Sequence, residues 1–245
     1  MATDLTGLEL LYILSLGILP ALVWLWFWLK EDLKKPEPSG FIVLSFFAGA
    51  LSIIFVLQIE EGFAKIIAKG PLLFLVWAFV EESAKLATAY IVALRNKIYN
   101  EPVDAMIYLI TVALGFAAFE NVLFIIKGFG ESGLSTGLMT ASMRFLGASL
   151  LHVLSSAVLG GIMAHAFCKG RGARIKFTLA GLAVATLLHT LFNLFIIRSV
   201  ETETHTGILI AFVSLWVGIV LLIAFFEKVK HVVCYDYERL SKRNI

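Results

Sequence analysis

A chain of 245 residues with 60% hydrophobic and only 16% charged residues is too apolar for a water-soluble domain. Its net charge of +2 comes without a dense block of lysine and arginine, which argues against nucleic-acid binding. We therefore predict an all-α, polytopic integral membrane protein. In such a protein the distribution of lysine and arginine between the loops indicates its orientation in the membrane.

Seven apolar stretches are long enough to cross a hydrocarbon core of about 30 Å. They are predicted as transmembrane helices 1 to 7, at residues 8–29, 40–59, 71–94, 102–126, 138–167, 176–197 and 207–226. Because the connections are short, we expect one membrane domain over residues 1–245. Its motif-bearing core spans about 71–197, and helices 1, 2 and 7 are accessory.

The charged loops predict which side of the membrane each segment faces. Most of the 20 lysine and arginine residues follow helices 1, 3, 5 and 7, which places the C-terminus in the cytoplasm and the N-terminus outside. Cys168 and Cys234 fall on the cytoplasmic side, so we expect reduced thiols. On the outer side, residues 58–70 are predicted to form a short amphipathic helix or a solvated loop.

Helix 3 carries charges where a membrane helix should have none. Glu81, Glu82 and Lys85 lie about ten residues into the apolar run from Pro71. Facing lipid, each would cost roughly 2.5–3.5 kcal/mol near the bilayer centre. They must therefore face protein, water or one another.

Three later helices bring polar groups to the same outer half of the bilayer. These are Glu120 and Asn121 on helix 4, Arg144 and His152 on helix 5, and His189 and Asn193 on helix 6. Each alone has an ordinary structural explanation, such as an ion pair between Glu81 and Lys85 or a histidine bonded between helices. Together they exceed what packing requires, which predicts a functional site.

These groups fit two forms of peptide-bond hydrolysis. In the first, carboxylates and imidazoles act as general acid and base on water, with Asn121 and Asn193 as hydrogen-bond donors. In the second, Glu120, His152 and His189 bind zinc, and Glu81 or Glu82 accepts the proton of water. Adjacent helical residues point about 100° apart, so only one of those two glutamates can face the reacting centre.

Two other functions remain compatible with these residues. The same layer could relay protons or cations in a transporter or channel, or belong to an inactive protein that binds membrane partners. Other hydrolase designs lack their motifs, since the sequence has no H-E-x-x-H, no G-x-S-x-G and no intramembrane aspartate pair.

Four motifs, in order on successive helices, resemble the PrsW family of intramembrane proteases. They are Glu81-Glu82-x-x-Lys85, Phe116-x-x-x-Glu120-Asn121, Arg144 with His152, and His189-x-x-x-Asn193. CaaX-processing and bacteriocin-processing membrane peptidases are similar at a greater distance. The resemblance implies a bacterial plasma-membrane protease, often classed as a metalloprotease, that cuts a membrane-anchored substrate of the anti-sigma-factor type on its outer side.

Overall fold

The computed structural model describes residues 6–31, 35–132, 144–201 and 205–232. Within these ranges the regular secondary structure is entirely helical. The helices are α1 (Gly7–Glu31), α2 (Ser39–Ile66), α3 (Pro71–Ala89), α4 (Asp104–Ser132), α5 (Ser149–Ala164), α6 (Arg171–Glu201) and α7 (His205–Lys230). A π-helical turn, Tyr90–Leu94, extends α3, and another, Arg144–Ala148, precedes α5. The prediction of a polytopic helical bundle is confirmed.

Five helices are long and apolar enough to cross a membrane, namely α1, α2, α4, α6 and α7. The 19 residues of α3 include the three charges that interrupt its apolar run. The α5 helix is a shorter apolar helix of 16 residues, and the beginning of predicted span 5, residues 138–143, lies outside the described residues. The chain is therefore a multi-pass membrane protein.

Helix α4 forms the centre of the bundle. Every residue from Val103 to Ala118 is buried, and α4 packs against α1, α2 and α5. The surrounding helices expose large apolar side chains such as Phe47 and Phe55 on α2 and Leu191 on α6. This is the pattern of a protein whose outer surface faces lipid and whose polar groups face inward.

Two glycines allow α2 and α4 to approach closely. A Cβ atom added at Gly115 would overlap the backbone carbonyl of Phe46, and one added at Gly49 would overlap that of Val112. Small residues at such crossings let membrane helices pack backbone to backbone. The position of α2 against α4 therefore depends on these two glycines.

Two expectations from the sequence differ from the structure. Residues 58–66 are neither a separate surface helix nor a loop but the last turns of α2, because no proline interrupts the helix before Pro71. The Glu61–Lys65 ion pair, 2.9 Å long, lies exposed on this end. The expectation of a reduced thiol at Cys168 is also wrong, since this residue is disulfide-bonded; Cys234 lies outside the described residues.

Segments predicted to be cytoplasmic share one end of the bundle. Lys35, after α1, forms an ion pair with Glu101, which precedes α4. Lys230, at the end of α7, donates a hydrogen bond of 2.7 Å to the backbone oxygen of Glu31 at the end of α1. The structure thus groups these ends, and the charge bias predicts that they face the cytoplasm.

That orientation predicts the outcome of reporter fusions. A green fluorescent protein fused after Ile245 should fluoresce, because it folds in the cytoplasm, whereas alkaline phosphatase fused there should be inactive. The reverse pattern would show that the C-terminus is outside.

The close approach of α2 and α4 predicts that Gly115→Ala destabilises the protein by about 1–3 kcal/mol, the usual cost of overpacking. The measurement is thermal unfolding in detergent micelles. The matched control is Gly62→Ala on α2, where an added Cβ meets nothing within 4 Å. Equal unfolding temperatures for the two variants would contradict the prediction.

Candidate active site

Four helices bring ionisable side chains to one buried cluster. Helix α3 contributes three of them, and α4, α5 and α6 contribute one each, namely Glu81, Glu82, Lys85, Glu120, His152 and His189. The side chains of Glu82 and Lys85 are 0% exposed, which is rare for charged residues unless they are paired. The imidazole rings of His152 and His189 meet edge to face, with centroids 5.1 Å apart.

Glu82 is the most fully bonded carboxylate of the cluster. Its Oε1 accepts hydrogen bonds from Lys85 Nζ at 2.7 Å and from Ser155 Oγ at 2.9 Å. The same atom lies 2.9 Å from His189 Nδ1, and Oε2 lies 3.4 Å from Ser156 Oγ. Because a carboxylate only accepts, His189 Nδ1 carries the hydrogen and its Nε2 carries the lone pair. Sequence reasoning did not single out Ser155.

The tautomer of His152 follows from its neighbours in the same way. Lys85 Nζ lies 2.8 Å from His152 Nδ1 and can only donate, so Nδ1 carries the lone pair. The Nε2–H group then donates to Glu120 Oε2 at 2.9 Å. Arg144 Nη2 donates to the same oxygen at 2.5 Å. Glu120 therefore orients the ring of His152.

Glu81 points at the two imidazole lone pairs. Its Oε2 lies 3.8 Å from His152 Nδ1 and 3.9 Å from His189 Nε2. This buried oxygen accepts no hydrogen bond from any residue that the structure describes. Lys85 Nζ is 3.7 Å away. One carboxylate oxygen and the lone-pair nitrogens of the two imidazoles thus converge within 4.8 Å of one another, although the His152 nitrogen also accepts a hydrogen bond from Lys85.

This donor set fits a divalent metal such as zinc. Two histidines and one glutamate are the protein ligands of many hydrolytic zinc sites. The ring nitrogen of each imidazole that would not bind the metal donates its N–H to a carboxylate, as in most metal-bound histidines. Lys85 would have to release His152 Nδ1, and it could keep its bond to Glu82. Of the glutamates, Glu81 lies with the two ring nitrogens that could bind a metal, whereas Glu120, predicted as a ligand from the sequence, bonds to the other nitrogen of His152.

Arg144 ties the π-helical turn before α5 to α4. Besides binding Glu120, its Nε donates to Asn121 Oδ1 at 2.7 Å, and Asn121 Nδ2 donates to Ser149 Oγ at 2.9 Å. The guanidinium also lies 4.0 Å from the ring centroid of Phe124. Arg144 and Asn121 therefore position the carboxylate that orients His152.

The remaining predicted residues differ in how closely they approach the cluster. Phe116 packs against the cluster. Its ring centroid lies 4.9 Å from Lys85 Nζ and 5.5 Å from the ring centroid of His152. Asn193, one turn after His189, is half-buried, and its side chain makes no hydrogen bond within the described ranges. Its amide is thus available to another group.

Glu60 on α2 also reaches the site, which sequence reasoning missed. Its carboxyl group is in side-chain hydrogen-bonding contact with that of Glu81. Trp77 Nε1, one turn before Glu81 on α3, donates to the backbone oxygen of Glu60 at 3.1 Å. The sequence feature that could have identified Glu60 is its helical spacing from Ile53 and Val56. These two residues are buried, and the spacing puts Glu60 on the same face of α2.

Comparison with known proteins shows the family of this chain. The family model of the PrsW family intramembrane metalloprotease matches residues 37–224. Relatives named Protease PrsW include that of Halalkalibacterium halodurans, 30% identical over 187 residues, covering 74% of this chain and 81% of the relative. That of Bacillus subtilis is 28% identical over 180 residues, covering 72% and 79%. That of Geobacillus kaustophilus is 26% identical over 210 residues, covering 83% and 87%.

No solved structure matches this chain. The family match covers α2 to α7 almost entirely and includes every residue of the buried cluster. A proton or cation transporter, the main alternative for such a polar layer, is not favoured by any of these matches. The chain belongs to the PrsW family of intramembrane metalloproteases and is a multi-pass membrane protease of the bacterial plasma membrane.

Proposed function

We propose that this protease cuts a membrane-anchored protein in the outer half of the bilayer, with Glu81, His152 and His189 holding a divalent metal ion. The observation that carries the proposal is the convergence of Glu81 Oε2, His152 Nδ1 and His189 Nε2. Zinc is the first candidate because it binds this combination of ligands in hydrolases. Bound there, it would supply Lewis acidity toward water and the peptide carbonyl.

The charges of the cluster support a dication. The cluster contains four carboxylates: those of Glu60, Glu81 and Glu120 interact with one another, and that of Glu82 interacts with Lys85. The cations facing them are Lys85 and Arg144. A hydrogen bond between the carboxyl groups of Glu60 and Glu81 requires one shared proton. Once that proton is released, with both imidazoles neutral, two negative charges remain. Uncompensated charge is costly in a low-dielectric interior, and a divalent ion would balance it.

Each remaining residue has a role in keeping this geometry. Glu82 and Glu120 hold the two imidazoles by the nitrogens that face away from Glu81. Lys85 neutralises Glu82, and Phe116 closes the cluster on the side of α4. We assign Asn193, whose amide has no partner among the described side chains, to hydrogen bonding with the substrate.

Depth supports cleavage in the outer half of the membrane. Glu81 lies ten residues after α3 begins at Pro71, which at 1.5 Å per residue is about 15 Å, half of a 30 Å core. Glu60 lies nearer the surface, six residues before the end of α2, or about 9 Å. The predicted orientation makes this the outer side. A single-span regulator of the anti-sigma-factor type is the substrate class that the family resemblance suggests.

The proposed ligands predict the metal content of the purified protein. Wild type prepared in detergent without chelator should contain about one zinc ion per chain, and a His152→Ala, His189→Ala double variant should contain almost none. The control is His165→Ala, because His165 Nδ1 contacts the backbone oxygen of Gly161 away from the cluster. Elemental analysis measures the outcome. Active wild-type protein without metal would refute the ligand assignment.

Glu81 and Glu82 should respond differently to substitution by glutamine. Glu81→Gln should abolish zinc binding with little loss of stability, because Glu81 Oε2 accepts no hydrogen bond in the described structure. Glu82→Gln should weaken zinc binding about 10- to 100-fold by releasing His189. It should also destabilise the protein by about 3–5 kcal/mol, because Lys85 loses its buried partner.

Zinc titration and thermal unfolding separate the two effects. The control is Glu61→Gln, which removes only an exposed ion pair with Lys65 and should change neither quantity measurably. A Glu82→Gln variant as stable as Glu61→Gln would contradict the role of Glu82.

A further inference from the structure

We propose that Glu60 on α2 is a further catalytic residue, the base that takes a proton from the attacking water. This inference rests on the proposed function, in which Glu81 binds the metal. Glu60 is not part of the four motifs, which lie on α3 to α6, because it belongs to α2.

The first argument is position. Glu60 extends the inward face of α2, one turn beyond Val56, which packs with Ile53 and Phe116. The hydrogen bond from Trp77 Nε1 holds the backbone of Glu60 beside α3. Trp77 and Glu81 are four residues apart on α3, so they share one helix face. The contact between the Glu60 and Glu81 carboxyl groups is therefore held by both helices.

The second argument is hydrogen-bond supply. Glu60 Oε1 is buried and receives no hydrogen bond from any described residue. Glu82, by contrast, already accepts from Lys85, two serines and His189. A base needs an oxygen that is free to accept a proton from water. Among the four carboxylates of the cluster, Glu60 has such an oxygen directly beside the proposed metal ligand.

Glu120 and Glu82 are poor candidates for further reasons. Glu120 accepts from both Arg144 and His152 on one oxygen, and its ion pair with Arg144 stabilises the unprotonated form. Both oxygens of Glu82 have hydrogen-bonding partners, which water would have to displace. Glu60 is half-buried at the border of the cluster. Its Oε1, although itself buried, has no hydrogen-bonding partner among the described residues, so the reacting water would displace none.

The proton and bond changes balance without any further reactant. Water oxygen bonds to the scissile carbonyl carbon as one water proton passes to Glu60 Oε1. The carbon–nitrogen bond then breaks, and the proton on Glu60 passes to the leaving nitrogen. The products are a carboxylic acid and an amine, and Glu60 is again unprotonated.

The test compares wild type with Glu60→Gln, which keeps the shape of the side chain but cannot accept the proton. The matched control is Glu61→Gln, its exposed neighbour. Each protein is reconstituted with a panel of single-span reporter proteins tagged at both ends. Cleavage, zinc content, thermal unfolding and photo-crosslinking to the reporter are measured. Glu60→Asp is added because it keeps a carboxylate one methylene further back.

The proposal predicts that Glu60→Gln keeps its zinc, fold and crosslink to the reporter but loses cleavage about 100-fold or more. Glu60→Asp should retain part of the activity, which a purely structural role does not predict. Cleavage by Glu60→Gln within about threefold of Glu61→Gln would overturn the proposal, and so would loss of zinc from Glu60→Gln, which would make Glu60 a ligand. Failure of the proposed function is recognised separately, by zinc that persists in the double histidine variant or by wild type that cleaves no reporter.

Discussion

The buried ammonium of Lys85 is the interaction on which the polar centre depends. The Lys85 side chain is 0% exposed inside an apolar bundle. Its Nζ lies 2.7 Å from Glu82 Oε1 and 2.8 Å from His152 Nδ1. A charge in such a place must be compensated, or the helix that carries it would not be stable in the membrane. Because its partner Glu82 also binds α5 and α6, compensating one lysine joins three helices. The same contacts therefore stabilise the fold and define the site.

Both histidines are oriented in the same way, by a hydrogen bond to a glutamate. Each donates a hydrogen bond from one ring N–H to a carboxylate, His152 to Glu120 and His189 to Glu82, which leaves the other nitrogen directed toward Glu81. Rotation of either ring would cost a hydrogen bond in a medium where water cannot replace it. The glutamates that hold the rings are in turn fixed by Arg144 and Lys85. A site with this support is ordered before substrate or metal arrives, which is what catalysis at a fixed geometry requires.

The sequence predicts the helices and most members of the cluster, because charges in an apolar run have few stable positions. It does not predict which atoms converge, since adjacent residues such as Glu81 and Glu82 differ by a rotation that only packing determines. Glu60 was missed for a related reason. It stands directly before Glu61, which forms an exposed ion pair with Lys65, in a segment whose composition resembles a surface helix. Only its place on the face of Ile53 and Val56 shows that it turns inward.

Core packing and chemistry are coupled through α2. Glu60 meets Glu81 only if α2 lies close to α3 and α4, and that closeness depends on the backbone contacts at Gly49 and Gly115. Gly115 directly precedes Phe116, whose ring lies beneath Lys85 and His152. A side chain at Gly115 would thus push α2 away from the cluster as well as strain the crossing. The small residues on α4 are therefore part of the site, because they set the distance between a carboxylate on α2 and the groups on α3.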